Sequence, residues 1–284
     1  MGLDFPKRIV CLTEETTETL YLLGQDWRIA GVSGYTARPP EARRKPRVSA
    51  FINAKFDKIV ELEPDLVLAF SDLQGDIVKE LLSRGLSVLA FNQRSVAEIE
   101  NMIVTLARIT GVPDRGAALV QELEAGLRCV SESAARFPRR PRVFFEEWND
   151  PLIGGIRWVE ELIEIAGGQP LFPELRHGRS GKERILDPAA VAARDPEVVI
   201  ASWCGRKVNK EAIRARPGWD STAAVRNRHV YEIKSTYILQ PGPASLTEGV
   251  RQLHAILAHC AGGDVAAELA PIERMDSDLP GGKS

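Results

Sequence analysis

Two stretches of this chain repeat one scheme, and that scheme constrains the fold more than any bulk property does. KIVELEPDLVLAFS (58–71) and AVAARDPEVVIASW (190–203) each open on a short helical pattern. Each then passes through an acidic residue, a proline and a second acidic residue, and ends in a four-residue apolar run. The prolines are Pro64 and Pro196, and the same alignment sets Phe70 against Ser202 and Ser71 against Trp203. Proline closes a helix and biases its surroundings toward extended backbone, and the aliphatic run that follows suits a buried strand. Two such units in one chain predict a duplicated α/β building block.

The rest of the chain alternates in the same way. RIVCL (8–12), Ile29–Val32, DLVLAF (65–70) and LSVLAF (86–91) read as strands. The helical patterns between them stop at Gly24, Gly85 and Gly111, where a left-handed residue ends a helix without steric cost. Thr13 is a candidate helix cap, with Glu14 and Glu15 in the first turn. Thr36–Val48 reads as a Pro- and Arg-rich loop. Asp114–Phe137 reads as one helix, on the order of 35 Å long. Beyond Pro138 and Pro141 the alternation restarts with RVFFEE (142–147), Trp158–Ala166, Glu197–Ala201 and His229–Ile233, and a helix over Ser245–Cys260 closes it. The expected architecture is two Rossmann-like α/β lobes with mainly parallel sheets joined by one long helix. Its segments are an N-terminal lobe over 1–112, the connecting helix over 113–138, a C-terminal lobe over 139–270 and a loose tail over 271–284.

Composition removes several functional classes. The 284 residues carry a formal net charge of −2, with 44% hydrophobic and 27% charged residues. Such a balance does not suit a nucleic-acid binder. The basic clusters Arg43-Arg44-Lys45 and Arg139-Arg140 sit beside prolines and read as solvated loops. Four widely spaced cysteines, with no CxxC, give neither a disulfide framework nor a zinc site. His254 and His259 are five apart on one helix and do not share a face, so no metal site is expected. No run approaches the ~18 apolar residues of a membrane span. MGLDFPKRIV lacks the parts of a signal peptide, so as it stands the sequence reads as cytoplasmic. No phosphate-binding glycine loop, nucleophile elbow or HExxH is present, and no catalytic residue is assigned.

Aromatic side chains supply the positive signal. Tyr35, Phe51, Phe70, Trp148 and Trp203 all fall at or just past predicted strand ends. Open α/β sheets bind ligands at the carboxyl ends of their strands, and flat aromatic faces there suit a large conjugated ligand. Cys204 follows Trp203, with Arg206 and Lys207 close behind. It is read as pocket lining, as core packing or as a nucleophile activated by local positive charge. Glu146 and Glu147 are neighbours on one strand and face opposite ways, so only one can meet a given ligand. Gln240, before Pro241-Gly242-Pro243, is a candidate polar contact.

With these residues in view the chain resembles the helical-backbone periplasmic binding proteins of ABC importers, most closely the vitamin B12 (cobalamin) branch. The resemblance rests on RIVCLTEETTETLYLLG (8–24), IAGVSGYTARPPEA (29–42) and VSAFINAKFDKIVELEPDLVLAF (48–70). It continues through AGGQPLF (166–172), DPEVVIAS (195–202) and PGWDSTAAVRNRHVYEI (217–233). It implies a ligand cleft between the two lobes, periplasmic location and an ABC permease as partner. Tyr35 then matches a tyrosine lining the cobalamin cleft, and Phe51 and Phe70 stand where that branch tends to have tryptophans. Asp57 stands where the first lobe carries an acid that docks on the permease. The second docking glutamate falls near Ala189, and the tryptophan expected before the Asp187 helix is missing, with Glu183 nearby. Trp148 and Trp203 would rebuild that aromatic wall. The expectation is a monomeric, non-catalytic protein holding a corrinoid such as cobalamin through Tyr35, Phe51, Phe70, Glu147, Trp148, Trp203, Cys204 and Gln240. The alternatives are a binding protein for haem or an iron–siderophore chelate, and a cytosolic sensor or enzyme on the same fold that uses Cys204.

Overall fold

Glu63 and Asp195 mark the duplication in the backbone itself. Each precedes the proline of its repeat and adopts a left-handed conformation, with φ of 46° and 47°. The structure, a computed structural model, describes residues 5–272 and Met275. It divides into two compact units, Met1–Gln93 with Ala97–Glu122, and Arg94–Val96 with Leu123–Ser284. The division falls inside the long helix Pro113–Ala134, which ends before the expected Phe137.

The first unit contains a six-stranded sheet. Its strands are β1 (Ile9–Cys11), β2 (Ile29–Ser33), β3 (Arg47–Ala50), β4 (Asn53–Ala54), β5 (Leu66–Phe70) and β6 (Val88–Phe91), in the order β4-β3-β2-β1-β5-β6. All neighbours are parallel except the β3–β4 pair. β1 lies inside the sheet and every residue of it is buried, as its β-branched sequence requires. Val10, Leu12, Val67 and Ala69 form a core with Ile59, Ile77 and Leu81 from the covering helices.

The second unit contains β7 (Arg142–Asn149), β8 (Leu152–Gly154), β9 (Gln169–Pro170), β10 (Val198–Ala201) and β11 (Val230–Glu232). Their order is β11-β10-β7-β8, with β9 also paired to β7. Only β7–β8 is antiparallel. Phe144, Trp219 and Val199 anchor the core on one face, the two rings meeting edge to face at 5.9 Å.

The mixed α/β architecture with two mainly parallel sheets agrees with the expected fold class. Alternation alone missed four short strands. β3 and β4 lie at the end of the supposed 36–48 loop and just after it, β8 returns immediately behind β7, and β9 follows the Arg157–Ile165 helix. All are too short to show a period. The closing helix is also not uniform: Ser245–Gly249 is a π turn that runs into the α-helix Val250–Ala261. Glu248 is buried in this turn. Its Oε1 accepts from Gln252 Nε2 at 2.8 Å, and its Oε2 accepts from the Ile272 N–H at 3.0 Å. Most of the tail expected to be loose over 271–284 lies outside the described residues.

Candidate functional site

In the first unit the carboxyl ends of the strands carry exposed apolar side chains. Tyr35 follows β2, Ile52 sits in the β3–β4 turn and Leu73 follows β5, exposed by 51%, 63% and 60%. Scattered exposed apolar residues are ordinary, but three at the carboxyl ends of β2, β3 and β5 share one sheet edge. The loops are also braced. Phe51 turns at φ 38° and Ser71 at φ 64°, conformations that side chains resist. Buried Gln74 holds both places: its Nε2 donates to the Phe51 carbonyl at 2.7 Å and its Oε1 accepts from the Phe70 N–H at 2.9 Å. The Ser71 Oγ accepts from the Leu73 N–H at 3.2 Å. Phe51 is half-buried, and Phe70 is packed into the core, because it is still on the strand.

The Tyr35 loop rests on acids. Glu14 Oε1 accepts from the Ala37 N–H at 2.9 Å, and Glu18 pairs with Arg38 at 2.9 Å. Thr13 does not cap the helix Glu14–Leu22 through its side chain; its Oγ1 donates to Glu15 Oε1 at 2.6 Å instead. Burial, reinforced by Glu15, pushes the Glu14 carboxyl up to about 8. Burial likewise pushes Glu15 up to about 7, and its Oε2 is buried with no hydrogen-bond partner among the described residues. Asp57, on the first turn of the helix Phe56–Glu61, is 90% exposed at its side chain and pairs with Arg84 at 2.7 Å.

In the second unit Glu146 and Glu147 do face opposite ways. Glu146 is wholly buried and grips Arg216 with both oxygens, at 2.6 and 2.9 Å. Trp203 Nε1 donates to the same carboxylate at 3.1 Å, and Arg216 also lies 4.7 Å above the Trp219 ring. Trp203 is therefore a core residue, 6% exposed, where the sequence suggested a wall. A buried carboxylate must find donors, and the indole N–H is one of them. Glu147 pairs with Arg184 at 2.5 Å. Trp148 is half-buried, its Nε1 donates to the Asp150 carbonyl at 3.0 Å, and the Arg206 guanidinium sits 5.7 Å from its ring centre. Cys204 is exposed in the turn closed by the Arg206 N–H on the Trp203 carbonyl, with Gly205 at φ 69°. Cys11 and Cys260 are buried, and burial pushes both thiols up to about 12, which leaves them unreactive. Gln240 is half-buried and its carbonyl accepts from the Gly242 N–H at 2.8 Å.

A cavity of about 470 Å³ opens at the carboxyl ends of β10 and β11, walled by Arg206, Lys207, Glu232 and Lys234 among others. Reading strand ends for aromatics alone passed over Ile52, Leu73 and Lys234; the same positional rule applied to aliphatic and basic residues would have found them. Gln74 gave no signal in sequence. Among the described residues no group of histidines, cysteines and carboxylates could hold a metal ion, and no helix is long and apolar enough to cross a membrane.

Comparison with known proteins adds the following. The model of the family described as periplasmic binding protein matches residues 9–237. An uncharacterised ABC transporter substrate-binding lipoprotein of Bacillus subtilis is 27% identical over 257 residues, 87% of this chain and 79% of that one. A vitamin B12-binding protein of Vibrio parahaemolyticus is 25% identical over 260 residues, 89% and 88% of the two chains. The crystal structure of a periplasmic haem-binding protein from Pseudomonas aeruginosa superposes with a TM-score of 0.77 at 22% identity, covering 97% of this chain and all of that one.

Proposed function

The chain belongs to the periplasmic binding protein family, and from that premise we propose that it captures a corrinoid, cobalamin or a close relative, for an ABC permease. The exposed rim of Tyr35, Ile52 and Leu73 on braced loops is the observation that carries the reading. A corrin ring presents methyl-bearing apolar surface between its amide arms, and desolvating such a rim against that surface yields ~25 cal/mol per Å². Bracing matters because a rim already ordered loses little entropy on binding. In the first unit half-buried Phe51 adds an aromatic face to this rim, and in the second Trp148 and Gln240 are the proposed aromatic and amide contacts. The vitamin B12-binding relative supports the choice of ligand. No chemical step is assigned, and Cys204 acts as a neighbour of the site. The family relationship supports action outside the cytoplasm, and exposed Asp57 is the proposed permease contact in the first unit.

Titration with cobalamin and cobinamide tests this by absorption shift and calorimetric heat. Tyr35→Ala and Leu73→Asp should each weaken binding at least tenfold, with stability changed by less than ~0.5 kcal/mol. Cys204→Ser should leave binding intact; loss there would favour the thiol-using alternative. No shift and no heat with either corrinoid would sink the corrinoid reading.

One observation favours a second ligand class. The cavity at β10 and β11 is walled by three cations, and Glu147 is neutralised by Arg184. An anionic tetrapyrrole or iron chelate suits such a wall. Haem, followed by its Soret band, is the matching probe.

A further inference from the structure

The cavity at the carboxyl ends of β10 and β11 has a charge character that the whole chain does not share. The protein is slightly acidic, with a formal net charge of −2. Among the described residues the cavity wall nonetheless carries Arg206, Lys207 and Lys234 against a single carboxylate, Glu232. That carboxylate is already engaged, its Oε1 accepting from the Val208 N–H at 3.2 Å. Among the described residues neither Lys207 nor Lys234 has a carboxylate partner.

The cations are mounted on fixed backbone. The Arg206 N–H closes the turn on the Trp203 carbonyl, and its guanidinium lies over the Trp148 ring. The Val208 N–H ties the far end of the same loop to β11 through Glu232. Trp203, at the near end, is locked in the core by Glu146. Lys234 stands two residues past the end of β11, and Ser235 and Thr236 add hydroxyl donors to the wall. Like charges gathered on a concave wall focus a positive field into it, and that arrangement is stable only at a cost unless an anion relieves it. At about 470 Å³ the cavity exceeds an inorganic ion and falls within the size of small-molecule sites.

We propose that this cavity takes an anionic arm of the ligand, a carboxylate or a phosphate, with Lys207 and Lys234 as point charges and Arg206 as the oriented donor. The assignment rests on the solute-binding reading above and narrows its ligand to one with a charged side arm.

The test uses two ligand pairs that differ in that arm. Haem carries free propionates and its dimethyl ester does not; cobalamin carries a phosphodiester and cobinamide does not. Affinities are measured with the full chain and with the double variant Lys207→Gln/Lys234→Gln, whose denaturation midpoint is checked alongside. The expected result is a preference of at least tenfold for the charged member of one pair, abolished in the variant while the uncharged member is unaffected. The pair that shows it identifies the arm as carboxylate or phosphate. Equal binding within both pairs, or a preference that survives the double variant, overturns the proposal and leaves the solute-binding reading standing. If neither pair binds at all, the ligand reading fails first, and pyrophosphate then decides the cavity. Calorimetric heat lost in the double variant keeps the anion site, and no heat ends it.

Discussion

At their amino ends the two sheets are built alike; at their carboxyl ends they are not. At the amino end of β1, Arg8 donates to the Leu62 and Glu63 carbonyls, at 2.6 and 3.3 Å among others. At the amino end of β7, Arg142 donates to the Asp195 carbonyl at 2.7 Å. Asp65 accepts from the Lys7 and Arg8 N–H groups, and Glu197 accepts from the Arg142 N–H. Strand register continues the correspondence: Ile9 pairs with Leu66 as Val143 pairs with Val198. One step past the third matched pair it breaks. Leu12 is a buried aliphatic, whereas its counterpart Glu146 is a buried acid clamped by Arg216 and Trp203. The amino edges serve the fold and tolerate little change. The carboxyl edges carry the proposed ligand contacts, and there the two units have separated.

The largest effect expected from breaking this comparison is at Glu146. Arg216→Ala leaves a buried, unpaired carboxylate and should cost ~3–5 kcal/mol, read from urea unfolding. If Glu146 is dispensable for the fold, as the leucine at position 12 implies, Glu146→Leu with Arg216→Met should recover all but ~1 kcal/mol. A double variant as unstable as the single one would mean the charge itself holds the second unit together.

The acids of the first unit come next, and they have a sign. Glu14 and Glu15 hold their protons to about 8 and about 7 when folded, above the ordinary carboxylate value. The native state therefore binds more protons than the unfolded one from the ordinary range up to those values. Stability from this pair should fall as pH rises through that window and level off above about 8. Each group contributes a slope of at most ~1.4 kcal/mol per pH unit. Glu14→Gln with Glu15→Gln should flatten the stability–pH curve there; an unchanged curve would show the acids are solvated. Gln74→Ala should then cost ~1–3 kcal/mol, because it strands the Phe51 carbonyl and the Phe70 N–H, and it should weaken ligand binding by loosening the rim. The smallest effect separates the matched corners. Glu63→Gly should stabilise by up to ~1 kcal/mol, relieving a left-handed side chain. Asp195→Gly should not, since its carboxylate also accepts from the Ala223 N–H at 2.8 Å.

The matched corners were legible in the sequence because proline and flanking acids are local signals. The positive φ at Glu63 and Asp195 was not, since no glycine announces it. The carboxyl edges were legible only in position. Strand ends predicted where Tyr35 and Trp203 lie along the chain, but not which way each ring turns. Trp203 went inward because Glu146, distant in sequence, required a donor, and Gln74 became a brace because two turns from different segments met beside it. Such pairings depend on register, which no local pattern encodes.

The π turn at Ser245–Gly249 gives the closing helix one more consequence. In regular winding a single added residue would advance everything beyond it by about 100° around the axis, and a π turn absorbs that residue by widening. For this helix, length is phase. Removing one residue between 245 and 249 would restore ordinary winding and leave Val250–Ala261 in phase with what precedes it. With Leu246 or Thr247 removed, Gln252 would stay four residues from Glu248 and the buried stripe from Leu253 to Leu257 would keep its face; the same loss beyond Gly249 would turn that stripe toward water. A one-residue deletion in this turn should thus be far less damaging than one within Val250–Ala261.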